Sequence, residues 1–250
     1  MNNTIQRTFD VLDYVSKIQK GVTLQEIITE FNYPKSSAFV VVQSLLELGY
    51  LETVHDNDKK YCLGINAFQL GMRYVSDLDV LRQCSYLLNP LADKSGNTAF
   101  VVVLNGINVV YLDKYVPQNA VLTSCSLGAR KKAYTTANGK ALLAFLPEKE
   151  KDELVNRIYT KDEDAQKIIS KEDLLKELDE IKNKGYSMKR QGEKSISLCF
   201  GAPIFDYTGH VIATISLSDV YDSECDGNEL GRELKETALK ISLSMGYKEK

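Results

Sequence analysis

Lys35, Ser36, Ser37, Phe39, Val40 and Gln43 fall in one short stretch, PKSSAFVVVQSLLELGY. Lysine ammonium groups pair with phosphate, serine hydroxyls and a glutamine amide donate to phosphates and base edges, and Phe and Val contact the methyl group of thymine. This is recognition chemistry for double-stranded DNA, and it needs a helix to carry it into a major groove. Bond-breaking chemistry lacks its parts. Cys199 is a nucleophile by residue type, but His55 and His210 are the imidazole bases on offer, and neither a G-x-S-x-G stretch nor a metal-ligand spacing occurs. No catalytic residue, metal or cofactor is expected.

The helix that must carry these side chains is preceded by TLQEIITEFNY. Thr23 and Glu26 have capping-box spacing, which starts a helix, and Leu24, Ile27, Ile28 and Phe31 share one of its faces. Asn32-Tyr33-Pro34 stops it, and Pro34 can open the next helix, to about Leu48. Ala38, Val41, Val42, Leu45 and Leu46 form the inner face of that second helix, which leaves Lys35, Ser36, Ser37, Phe39, Val40 and Gln43 outside. A first helix is expected from about Ile5 to Gln19, closed by Gly21. Strands from about 50–55 and 60–63 follow, around a turn at Asp56-Asn57-Asp58. Three helices and a hairpin make a winged helix-turn-helix. Its tip carries Lys59 and Lys60, either as phosphate contacts or as solvated lysines.

A chain of 250 residues is long enough for two cores. Residues 1–64 form the first domain in this reading, 65–76 a linker helix and 77–250 the second domain. In the second, a helix from Asp79 to Lys94 should bend or divide at Pro90. A hairpin turns at Asn105-Gly106, and a third strand is expected over 120–126. A helix follows from Tyr134 or Thr135 to Phe145, then surface helices at 148–157 and 170–184. Strands at 186–190, 195–206 and 210–219 and a closing helix at 229–245 complete an α+β antiparallel sheet with flanking helices.

Five scattered cysteines form no C-x-x-C pair and read as reduced thiols. No long apolar run occurs, and the N-terminal MNNTIQRTFD has no apolar signal core, so a cytoplasmic protein without membrane association is expected. The formal charge is −3, and residues 1–64 carry six Lys and Arg against eight Asp and Glu. That balance excludes a protein that coats nucleic acid nonspecifically.

LGARKKAYTTANGKALLAFLP and SLCFGAPIFDYTGHVIATISLSD, taken with PKSSAFVVVQSLLELGYL, make the chain resemble an IclR-type transcriptional regulator over nearly its whole length. The resemblance implies an N-terminal winged helix, a linker helix and a C-terminal GAF-like domain that binds a small-molecule effector, often an organic acid. It implies a homodimer or tetramer whose operator binding the effector controls through different affinities for DNA-competent and incompetent states. Matched onto this sequence, the effector pocket falls at Ala137, Asn138, Cys199, Ser216 and Ser218. Lys189 departs from an acidic residue of the family, and faces either the pocket or solvent. Asp219 departs from a small one. Lys132 and Tyr134 replace proline and histidine, which predicts a more mobile loop with different hydrogen bonding. Phe39-Val40 replaces a polar or basic pair, which predicts weaker or A·T-biased DNA binding. The alternative is a ligand-sensing or protein-interaction module whose winged helix no longer reads DNA.

Overall fold

A computed structural model of the chain describes residues 3–54, 57–76, 78–118, 120, 125–191, 197–220 and 227–249. The chain divides into two compact units, Met1–Asp77 and Leu78–Lys250.

The first unit runs α1 (Asn3–Ser16), β1 (Val22–Thr23), α2 (Leu24–Phe31), α3 (Lys35–Glu47), β2 (Leu51–Val54), β3 (Asn57–Leu63) and α4 (Ile65–Ser76). The capping box forms: Thr23 Oγ1 accepts from the Glu26 amide at 3.2 Å, while Glu26 Oε2 accepts from the Thr23 amide at 2.7 Å. α2 ends at Asn32, whose φ of 51° is the left-handed conformation that asparagine tolerates. Val11, Val15, Val22, Ile27, Val41, Val42, Leu45 and Leu51 form the core. Two expectations shift. α1 stops at Ser16 rather than Gln19, because Lys17 and Ile18 turn back onto Tyr14 and Val15. β1 adds a third strand beside β3, in the order β1-β3-β2.

The second unit runs α5 (Asp79–Ser95), β4 (Thr98–Asn105), β5 (Asn108–Tyr115), β6 (Arg130–Lys132), a 3-10 turn (Ala133–Thr135), α6 (Ala137–Phe145), α7 (Glu148–Lys161), α8 (Ala165–Ile168), α9 (Lys171–Lys184), β7 (Ser187–Gln191), β8 (Ser197–Phe205), β9 (Val211–Val220) and α10 (Gly227–Ser244). α5 passes through Pro90 as one helix, so Pro90 does not divide it. Asn105 pairs with Asn108, so the hairpin turns on Gly106 and Ile107, with Gly106 at φ 59°. The strand expected over 120–126 falls largely outside the described residues, as do His55, Cys225 and the side chain of Asp219. β6 lies further on, at charged residues that gave no strand signal.

The six strands form an antiparallel sheet in the order β6-β5-β4-β9-β8-β7. Side chains alternate between its faces. Ala99, Val101, Phe200, Ala202, Ile215 and Leu217 are buried on the face covered by α5 and α10. Phe100, Val102, Val109 and Tyr111 point the other way, into a core with Ala133, Tyr134, Leu142 and Leu143 beneath α6. Gly139 lets α6 start this close, since a Cβ there would lie 2.1 Å from the Ala133 carbonyl oxygen.

In the 127–140 loop the two departures from the family make hydrogen bonds of their own. Tyr134 is buried and donates to Asp162 at 2.9 Å, and Lys132 pairs with the same carboxylate at 2.8 Å. These substitutions anchor the loop to the end of α7.

Candidate functional site

In the first unit, α3 buries Ala38, Val41, Val42 and Leu45 and turns Lys35, Ser36, Phe39 and Val40 outward. Ser37 and Gln43 are half-buried at the edge of that face. Phe39 is 50% and Val40 59% exposed, large apolar surface that the unit leaves in water. Ser36, Ser37 and Val40 border a shallow hollow whose other wall is Thr4 and Arg7 of α1. The Arg7 guanidinium stacks 5.1 Å from the Tyr33 ring centroid, at the turn before α3. Sequence reasoning missed Arg7, because only the crossing of α1 over α3 brings it there. Lys59 is exposed and Lys60 half-buried on β3, where Lys60 lies opposite Thr23.

In the second unit, register decides which residues meet. Lys189, Cys199, Ser218 and Thr98 stand in one row across β7, β8, β9 and β4. Ser187, Gly201, Ser216, Phe100 and Lys114 form the next row, which continues to β5. Directly opposed residues share a face, so both rows point toward α6. Cys199 Sγ and Ser218 Oγ are 3.3 Å apart. Above them sits the start of α6, where the amides of Ala137 and Asn138 have no partner within the helix. Thr214 Oγ1 donates to Asn138 Oδ1 at 3.4 Å, and Ser187 Oγ donates to the Ala137 carbonyl at 2.7 Å. Gly201 permits that approach: a Cβ there would stand 2.9 Å from Ser187 Oγ and 3.1 Å from the Ala137 backbone.

Lys189 settles the alternative left by the sequence. It is half-buried and donates to the Thr135 carbonyl, so it faces α6 rather than bulk solvent. Burial and the neighbouring charge of Lys140 hold its ammonium below the ordinary lysine pKa. Burial likewise pushes the Tyr111 phenol up to about 12 and raises the Cys125 thiol. Sequence reasoning did not flag Thr98, Tyr111, Lys114 or Lys131 on this wall. Alternation along β4 and β5 identifies the first three only once their register with β9 is known.

What the face can do follows from its groups. Hydroxyls, helix-start amides and an ammonium favour an anion, and amides at a helix start carry partial positive charge. Among the described residues, Cys199 has no imidazole beside it on this face, and no cluster of His, Cys, Asp and Glu could hold a metal ion.

The family described as "Bacterial transcriptional regulator IclR C-terminal" matches residues 72–243, and the "IclR helix-turn-helix domain" matches residues 4–55. The HTH-type transcriptional regulator KdgR of Escherichia coli (strain K12) is 27% identical over 247 residues, 98% of this chain and 93% of that regulator. The HTH-type transcriptional repressor AllR of the same strain is 25% identical, over 98% of this chain and 90% of its own length. The crystal structure of the Thermotoga maritima IclR superposes with a TM-score of 0.75 at 29% identity, covering 99% of this chain and all of that one. With both domain types matched in order, this chain belongs to the IclR family of transcriptional regulators.

Proposed function

We propose that α3 enters the major groove of a double-stranded DNA operator, and that the face of the sheet beneath α6 binds an organic-acid effector that controls this binding. The observation that carries the first part is the exposed pair Phe39 and Val40, set on α3 among Lys35, Ser36, Ser37 and Gln43. An adjacent Phe and Val on the outward side of a helix offer apolar contact surface, and thymine methyl groups are suitable partners for it in a groove. Lys35, Lys59, Lys60 and Arg7 supply phosphate contacts that offset the acidic balance of the module. The rival reading, a winged helix that no longer reads DNA, gains nothing from relatives named as HTH-type regulators.

For the effector we assign Ser216 and Ser218 as donors to one carboxylate, with the Ala137 and Asn138 amides above it, Cys199 as lining and Lys189 as counter-charge. A C-terminal domain that responds to an effector must move two recognition helices relative to each other, which requires a second copy. α4 suits that contact, since Ile65, Phe68, Leu70, Met72 and Tyr74 are all exposed. Among the described residues no helix is long and apolar enough to cross a membrane, and we place the regulator in the cytoplasm with its operator.

The test of the effector site is thermal melting with a panel of small carboxylates. Ser216→Leu and Ser218→Leu should each keep the fold and lose the ligand-induced stabilisation. Unchanged stabilisation in both variants would place the site elsewhere.

A further inference from the structure

Among the described residues, one buried side-chain polar atom lacks a hydrogen-bond partner: the hydroxyl oxygen of Thr98, a residue that is fully buried. Buried hydroxyls in native structures are normally satisfied, and the others of this unit show how. Thr237 and Ser242, on α10, donate to the carbonyls four residues back, at Glu233 and Ala238. Ser187 donates to the Ala137 carbonyl and Thr214 to Asn138 Oδ1, both at the start of α6. Thr98 opens β4, where extended backbone offers a side chain no carbonyl of the preceding helical turn.

An unpaired hydroxyl costs stability when buried, and a valine would fill the same space without that cost. The fold of the free protein therefore gains nothing from this group. Its surroundings suggest what does. Thr98 stands directly opposite Ser218, at the end of the row that runs through Cys199 to Lys189. Opposed residues share a face and hold their Cβ atoms about 4.5–5.5 Å apart. Phe100 and Val102, two and four residues further along β4, lie in the core beneath α6, so alternation turns Thr98 to that side as well. The start of α6 and a fully buried donor without an acceptor thus bear on the same face, each independently suited to an anion.

We infer that Thr98 is a further contact of the effector, its hydroxyl donating to the carboxylate held at Ser216 and Ser218, an assignment that rests on the effector site proposed above. Each carboxylate oxygen has two acceptor sites, so the oxygen that takes the Ser218 hydroxyl has one left for Thr98. A hydrogen bond to a charged acceptor is roughly twice as strong as a neutral one, which offsets the cost of holding the hydroxyl unpaired in the free protein. The threonine destabilises the empty site and strengthens the filled one.

Calorimetry on the full chain with acetate, propionate, benzoate, lactate and pyruvate, together with melting of the ligand-free protein, separates this role from a structural one. Thr98→Val should melt at the temperature of the unaltered protein or higher, yet bind each acid that the unaltered protein binds with an affinity about tenfold or more lower. Thr98→Ser keeps the hydroxyl and should bind within about threefold of the unaltered protein. A hydroxyl with a structural task gives the reverse pattern, lower melting with unchanged affinity, and that result overturns the inference. So does a loss of affinity that Thr98→Ser shares. A loss confined to lactate and pyruvate would place Thr98 on the oxygen beside the carboxylate and overturn the contact with the carboxylate itself. If Ser218→Leu abolishes binding while Thr98→Val leaves it intact, the site stands and only the Thr98 assignment falls. Binding unaltered in Ser218→Leu, or no binding of any of these acids to the unaltered protein, overturns both.

Discussion

The Lys189 ammonium of β7 donates a hydrogen bond to the carbonyl oxygen of Thr135, which ties an edge strand of the sheet to the turn that launches α6. Its proton is held loosely. Burial is the main cause, the charge of Lys140 adds to it and that of Lys131 adds less, while Glu177 and Cys199 act in the opposite direction. Only the ammonium attracts an anion. Effector affinity should therefore be full below this lowered pKa and fall as pH rises through it, earlier than for an ordinary lysine, with proton uptake on binding in that window. Lys189→Arg keeps its charge and should flatten the profile. Calorimetric titration across neutral to alkaline pH checks this, and identical profiles for the two proteins would contradict it.

Tyr134 tests the anchored loop. Its hydroxyl is buried against Asp162, which also holds Lys132. Tyr134→Phe removes one hydrogen bond without changing packing and should cost about 1 kcal/mol in urea unfolding of the second unit. Asp162→Ala removes both anchors and should lower stability further. A neutral result in both variants would return the loop to the mobile state that its departures from the family suggest.

These two sites mark where the sequence was legible. The Thr23–Glu26 cap was readable because its partners lie three residues apart, and the inner face of α3 because helical periodicity is local. The partner of Tyr134 and Lys132 was not legible, because Asp162 lies 28 and 30 residues away. Lys189 was ambiguous for a related reason. Alternation divides a strand into two faces, but only its pairing with Cys199 says which face meets α6. β6 gave no signal because three charged residues are strand there through pairing with β5 alone.

Phe39 and Val40 predict an operator with thymine methyl groups at the contacted steps. Phe39→Ala should lose about 1–3 kcal/mol of discrimination at one position. Lys35→Ala and Arg7→Ala should instead weaken binding to all sequences alike and reduce the salt slope by about 1 each. Competition binding against operator variants at several salt concentrations separates the two effects. A uniform loss in Phe39→Ala would mean that its ring supports α3 rather than reads bases.

Reading of a specific DNA sequence through α3 is the property on which the proposed function depends. Selection of fragments from the source genome with the purified protein at low salt tests it most directly. A discrete enriched site of two half-sites about one helical turn apart is expected, A·T-rich where Phe39 and Val40 would lie, and weakened or strengthened by a bound effector. No enrichment over bulk genomic fragments, with or without the carboxylate panel, would contradict it.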